Sequence, residues 1–140
     1  MANLFKFSNT FVGDALTNLL AQWGTLTMRL YQNNYTPAPG MALANFTEAT
    51  FTGYSAQAIV QNGSVAIVSN QAVQADDQVT FQQTGTATTN TIYGYFVTAT
   101  DPVTSTEKVV GARLFDSPIT MDASGSEILV TPSQVFFSTN

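Results

Sequence analysis

The hydrophobic period of this chain changes once, at Gly24, and that change limits the available folds more than any other feature. Before it, Val12, Ala15, Leu16, Leu19, Leu20 and Trp23 recur three or four residues apart, the spacing of one helical face. The spacing predicts a helix from about Phe11 to Trp23. Asn9 or Thr10 caps its start, Asp14 sits early where the helix dipole favours an acid, and Gly24 ends it. After Gly24 the period is two. In "TLTMRLYQNN", Leu26, Met28 and Leu30 face one way and Thr27, Arg29 and Tyr31 the other, which predicts a strand with one buried face.

Alternation then recurs at short intervals between turn signals. "NNYTPAPG" breaks the first strand and runs as a loop to about Ala44. Asn45 or Thr47 caps a single helical turn containing Glu48. "YSAQAIVQNG" and "SVAIVSNQAV" read as strands joined by an Asn62-Gly63 hairpin. "DDQVTFQQTG" alternates on Val79 and Phe81. "NTIYGYFVTATDP" is centred on Gly94, which suits a close approach or a bulge, and Asp101-Pro102 ends it. "EKVVGARLFDSP" and "SEILVTPSQVFFST" supply the last two strands, joined through "ITMDASGSE". One helix followed by many short strands reads as an all-β fold, a β-sandwich or barrel-like domain with one short N-terminal helix. The 140 residues suit a single β-rich domain, with residues 1–10 as an N-terminal arm.

Charge narrows the function classes. Only 9% of residues are charged, against about 25% in ordinary soluble domains. Polarity comes instead from 21 Thr, 10 Ser, 10 Asn and 10 Gln, a surface that hydrogen-bonds well and repels its neighbours weakly. The only cations are Lys6, Arg29, Lys108 and Arg113, within a net charge of −5. Four scattered cations do not form a phosphate-tracking patch, so neither nucleic acid nor an anionic membrane is an expected partner. No apolar run reaches the ~18 residues of a membrane span. "MANLFKFSNTF" does not read as a secretory signal.

The chain has no His and no Cys. The usual zinc sites, a Ser-His-Asp relay and thiolate chemistry therefore have no residues to use. Two-carboxylate glycosidase chemistry stays formally open. Of the nine acids, Asp14 lies in a helix start; Asp76, Asp77, Asp101, Asp122 and Glu127 lie in or beside turns; Glu107 opens the "EKVVGARLFDSP" strand; only Glu48 and Asp116 sit near strongly apolar runs. Glu48 is expected to bind backbone amides at its short helical turn. Adjacent Asp76 and Asp77 lack the spaced ligands of a calcium loop and read as a solvated turn. No phosphate-binding glycine loop occurs, and three Asn-x-Ser/Thr sequons are what an Asn- and Thr-rich chain produces by chance. The expectation is no catalytic residue, no cofactor and no metal.

In "IYGYFV", Tyr93 and Tyr95 are expected to share one face, with Ile92 and Phe96 on the other. That face suits a tyrosine-lined protein contact; stacking on sugar rings, as in a carbohydrate-binding module, is the alternative.

The stretch "LTMRLYQNNYTPAPGMALANFTEATFTGYSAQAIV", then "TIYGYFVTAT", then "KVVGARLFDSPITMDASGSEILVTPSQVFF", resembles small structural proteins of tailed bacteriophages. In that group a strand ending "LY-x-N-N-x-T-P" leads into "F-x-E-A-x-F-x-G-Y", a "YGYF" strand follows, and a strand of type "I-x-V-T-P" closes the chain. The likeness runs from Leu26 to Phe137, and its motifs mark a fold, not a chemistry. It implies a virion component assembled in the host cytoplasm. The first expectation is a capsid decoration (cement) protein, a homo-oligomer with a trimer favoured, partnered by the major capsid protein or other virion proteins; a tail or fibre component is the alternative.

The N-terminus adds an expectation. Leu4, Phe5, Phe7 and Phe11 fall in the first eleven residues, and Leu4 and Phe5 face opposite ways in an extended chain. A single sheet face cannot bury both. Either the arm packs between the domain and a second surface, a sister subunit or a shell, or it is an edge strand tucked under the helix. Leu4, Phe5, Phe7, Tyr93 and Tyr95 are therefore the expected protein-interface residues.

Overall fold

A computed structural model describes residues 7–138, the last six as backbone only. Helix α1 spans Asn9–Trp23. Its cap is Ser8, one residue before the two expected candidates: the Ser8 Oγ accepts a hydrogen bond from the Phe11 amide at 3.2 Å. Gly24 ends the helix with φ +65°, its amide reaching the Leu20 carbonyl at 3.1 Å. Val12, Leu16 and Leu20 form the buried face.

Nine strands follow among the described residues: β1 Thr27–Tyr31, β2 Gln57–Ala58, β3 Ala66–Val68, β4 Gln71–Ala75, β5 Val79–Gln82, β6 Asn90–Thr100, β7 Glu107–Met121, β8 Glu127–Val130 and β9 Ser133–Ser138. They form three antiparallel sheets, ordered β2-β1-β6-β7, β3-β4-β9 and β5-β8. The fold is thus mainly β with one helix. Helix α1 packs on the β3-β4-β9 sheet. One apolar cluster draws on α1, the inner faces of β1, β4, β5, β6 and β8, and on Phe51 and Ile59 from the connections.

Four local expectations give way. The tight hairpin is not at Asn62-Gly63. Ser69 and Asn70, both at positive φ (48° and 61°), join β3 to β4, with Val68 opposite Gln71. A two-residue loop with both residues left-handed has the twist that antiparallel strands need. Asn62-Gly63 instead carries the chain between sheets: β2 pairs with β1, and the Asn62 amide bonds the Ala75 carbonyl at 2.8 Å. The stretch read as the final strand divides at Thr131-Pro132, where β8 leaves β5 and β9 joins β4. The short helical turn covers Leu43–Asn45 and does not contain Glu48. Finally, Asp76 is not in a solvated turn; it is buried at the end of β4.

The other face of β1 is also partly covered. Tyr31 is fully buried, with Phe46 and Phe96, in a second apolar cluster. The Phe46 and Phe96 rings stack at 4.5 Å, and Tyr31 meets Phe46 edge-on at 5.1 Å. The Tyr31 hydroxyl donates to the Tyr35 carbonyl at 3.1 Å, so its one polar atom is satisfied.

Candidate functional site

Glu48 lies where the chain runs back beside β1. It is bridged to Tyr31, and the Ala49 amide bonds the Leu30 carbonyl. Its side chain does not bind backbone amides. The carboxylate takes the Arg29 Nη1 at 3.1 and 3.2 Å and the Tyr54 hydroxyl at 2.8 Å. Arg29 also donates to Glu107 at 2.9 Å and to Thr98 Oγ1 at 3.3 Å, while the Tyr54 oxygen accepts from the Leu30 amide. Burial alone would lower the Arg29 pKa, but the hydrogen bond and charge of Glu48, with the charge of Glu107, outweigh it and leave it raised. Burial, then the bond to Glu48, pushes the Tyr54 phenol upward, so it stays a donor. A guanidinium held between two carboxylates clamps β1 to the segment that follows the loop and to the start of β7. Both carboxylates are committed to Arg29, although Glu107 is part-exposed and also borders a cleft of about 440 Å³ formed with Met41, Ala42, Leu43 and Ala44.

The second ion pair organises a turn. Asp101 follows β6, accepts amide bonds from Val103 and Thr104, and takes Lys108 Nζ at 2.5 Å. The bond to Lys108, helped by those amides, lowers the Asp101 carboxyl to about 2. The described residues hold no group of three His, Cys, Asp or Glu side chains placed to bind a metal. None of their helices is long and apolar enough to cross a membrane.

Tyr93 and Tyr95 do not share a face. The β6–β7 ladder slips between Ile92 and Gly94, so side-chain parity inverts there. Tyr93 packs on the Tyr31–Phe96 cluster, while Tyr95 packs on the main cluster beside Phe115. Both rings are half-buried, on opposite sides of the sheet. They do not form a two-ring platform for sugar. Gly94 permits the slip: a Cβ there would overlap the Arg113 carbonyl and lie 2.6 Å from the Tyr31 hydroxyl.

One flank of α1 is apolar and partly exposed. Phe11, Ala15, Leu19 and Trp23 repeat every four residues along α1, the i, i+4 ridge of a helix, and Phe7, just before the Ser8 cap, adds its ring to the start of the row. Phe7, Phe11 and Leu19 are 44%, 54% and 37% exposed, high values for three large apolar side chains in one row. The Phe7 and Phe11 rings stack at 5.2 Å. At the far end the ridge opens into an apolar groove of about 280 Å³ between the helix terminus and the start of β7, lined by Leu19, Trp23, Leu26, Val109, Val110 and the stem of Lys108. The Lys108 ammonium is bonded to Asp101. Val110 is the extra residue where the ladder slips again, and it is 47% exposed. Of the expected interface residues, then, Phe7 lies on an exposed apolar ridge, Tyr93 and Tyr95 are divided by the sheet, and Leu4 and Phe5 lie outside the described residues. The ridge and groove were legible only in part: the four-residue spacing is in the sequence, but Val109 and Val110 come from a strand more than eighty residues away. No protein-family model, no curated protein and no solved structure matches this chain.

Proposed function

We propose that this protein is a non-enzymatic structural component of a tailed-phage virion, a capsid decoration (cement) protein that braces junctions between capsid subunits. In this reading the three sheets pack as a β-sandwich that carries α1 on its outside, and the protein works as a homo-oligomer, a trimer being favoured. The observation that carries the reading is the half-exposed apolar flank of α1, continuous with the Trp23–Val110 groove. An apolar surface of that kind calls for a protein partner. The helix beneath it carries a single charge, Asp14, so many copies can crowd together with little repulsion. Supporting it, the residues behind the phage resemblance are used for packing: Tyr31, Phe46 and Phe51 are buried, and Glu48 is held by Arg29 and Tyr54. Motifs of that sort mark a scaffold.

The test is copy number and particle stability. Gel densitometry of purified virions should show hundreds of copies, and particles stripped of the protein should open at lower temperature or pressure. A few dozen copies or fewer would move the protein to the tail or a fibre. Unchanged stability of stripped particles would refute bracing.

A further inference from the structure

The Trp23–Val110 groove, about 280 Å³, lies at the lower edge of the ~300–1,000 Å³ range of small-molecule pockets. Its size and apolar lining suit one or two inserted side chains. We propose that it receives the Leu4–Phe5 segment of a second copy of this chain. That segment offers Leu and Phe in adjacent positions, the apolar chemistry that the groove requires.

Reach decides between the same copy and a neighbour. Phe7 is held against Phe11 by ring stacking. From Phe11 to the groove residues Leu19 and Trp23 is eight to twelve helical residues, about 12–18 Å. Phe5 and Leu4 stand two and three residues before Phe7, and extended chain covers only about 7–10 Å over that distance. Even fully extended, that backbone ends short of the Trp23 end of its own groove, and a neighbour's segment is not so limited. Arm into groove is a heterologous contact, and such contacts close into rings when the rotation permits. The inference deepens the virion reading by naming the contact between copies, yet its test requires no virion.

The chain lacks cysteine, so Leu4→Cys with Val110→Cys creates one defined pair and leaves Phe5 as the anchor. On mild oxidation the double variant should give covalent species beyond a dimer, which collapse to monomer on reduction. Each single variant should give nothing larger than a dimer. Separately, Val110→Arg, at an exposed position, should weaken self-association at least about tenfold in sedimentation velocity, as loss of an interface anchor does. Three results would overturn the proposal: a disulfide confined to the monomer, no cross-link, or an assembly that Val110→Arg leaves intact. The two readings fail separately. A monomer that still coats particles removes the arm contact and keeps decoration. A cross-linked ring that binds no particle keeps the arm contact and removes decoration.

Discussion

Gly94→Ala should be among the most damaging single-methyl additions in this fold. Gly94 sits opposite Leu114, next to the ladder slip, and its φ is not positive, so the constraint is space and not backbone conformation. The new Cβ meets two obstacles. The Tyr31 hydroxyl, at 2.6 Å, can move only by giving up its bond to Tyr35, at a cost of about 1 kcal/mol. The Arg113 carbonyl is backbone, so β6 and β7 must separate locally; overpacking of this kind costs about 1–3 kcal/mol. Together the expected loss is about 3 kcal/mol, or roughly 10 °C in Tm for a domain of this size. Gly111→Ala is the matched control: it lies on the partner strand opposite Val97, and a Cβ there meets nothing within 4 Å. That change should be neutral or gain about 0.4–1 kcal/mol by restricting the unfolded chain. Urea unfolding of both variants reads the difference. Adding Tyr31→Phe to Gly94→Ala should recover only part of the loss, because the carbonyl clash remains. If the two glycines respond alike, or if Gly94→Ala costs under about 1 kcal/mol, the steric argument fails.

Other outcomes follow from the polar contacts and the turn. Asp101 has a folded pKa of about 2, below its ordinary 3.8, so its contribution to stability is complete above pH 3.8 and is lost as pH falls through 2. Asp101→Asn should therefore lower the urea midpoint at pH 6 and flatten its fall between pH 4 and pH 2; an unchanged acid slope would count against the Lys108 contact. Glu48→Gln should cost about 1–2 kcal/mol, with part of that difference screened in 1 M salt, because the ion pair is only half-buried. In the same variant Tyr54 should titrate at lower pH, followed by tyrosinate absorbance, and no change would mean that Glu48 does not hold the phenol. Asn70→Ala should lose about 1 kcal/mol, since alanine resists the left-handed conformation at φ 61°; a neutral result would place the turn elsewhere.

The features legible in the residues alone are local and periodic. The 3.6-residue pattern before Gly24, the alternation Leu26-Met28-Leu30 and Val79-Phe81, and the Asp101-Pro102 stop each encode an element within a dozen residues, and each stands in the fold. Gly94 announced either a bulge or a close approach, and the structure has both. Leu4, Phe5 and Phe7 raised the expectation of a contact at the N-terminus; of the three, the structure describes Phe7, part-exposed and stacked on Phe11. The features hidden from the sequence are non-local. Tyr31 looks like a residue on an open face until Phe46 and Phe96 arrive to cover it. Arg29 meets Glu48 and Glu107 across 19 and 78 residues, a pairing that no spacing rule encodes. Tyr93 and Tyr95 read as neighbours on one face because alternation assumes an unbroken ladder; one slip inverts every side chain beyond it, and the slip depends on a partner strand elsewhere in the chain. Strand pairing is likewise chosen by the partner's edge, which is why "SEILVTPSQVFFST" reads as one strand and folds as two, in two sheets.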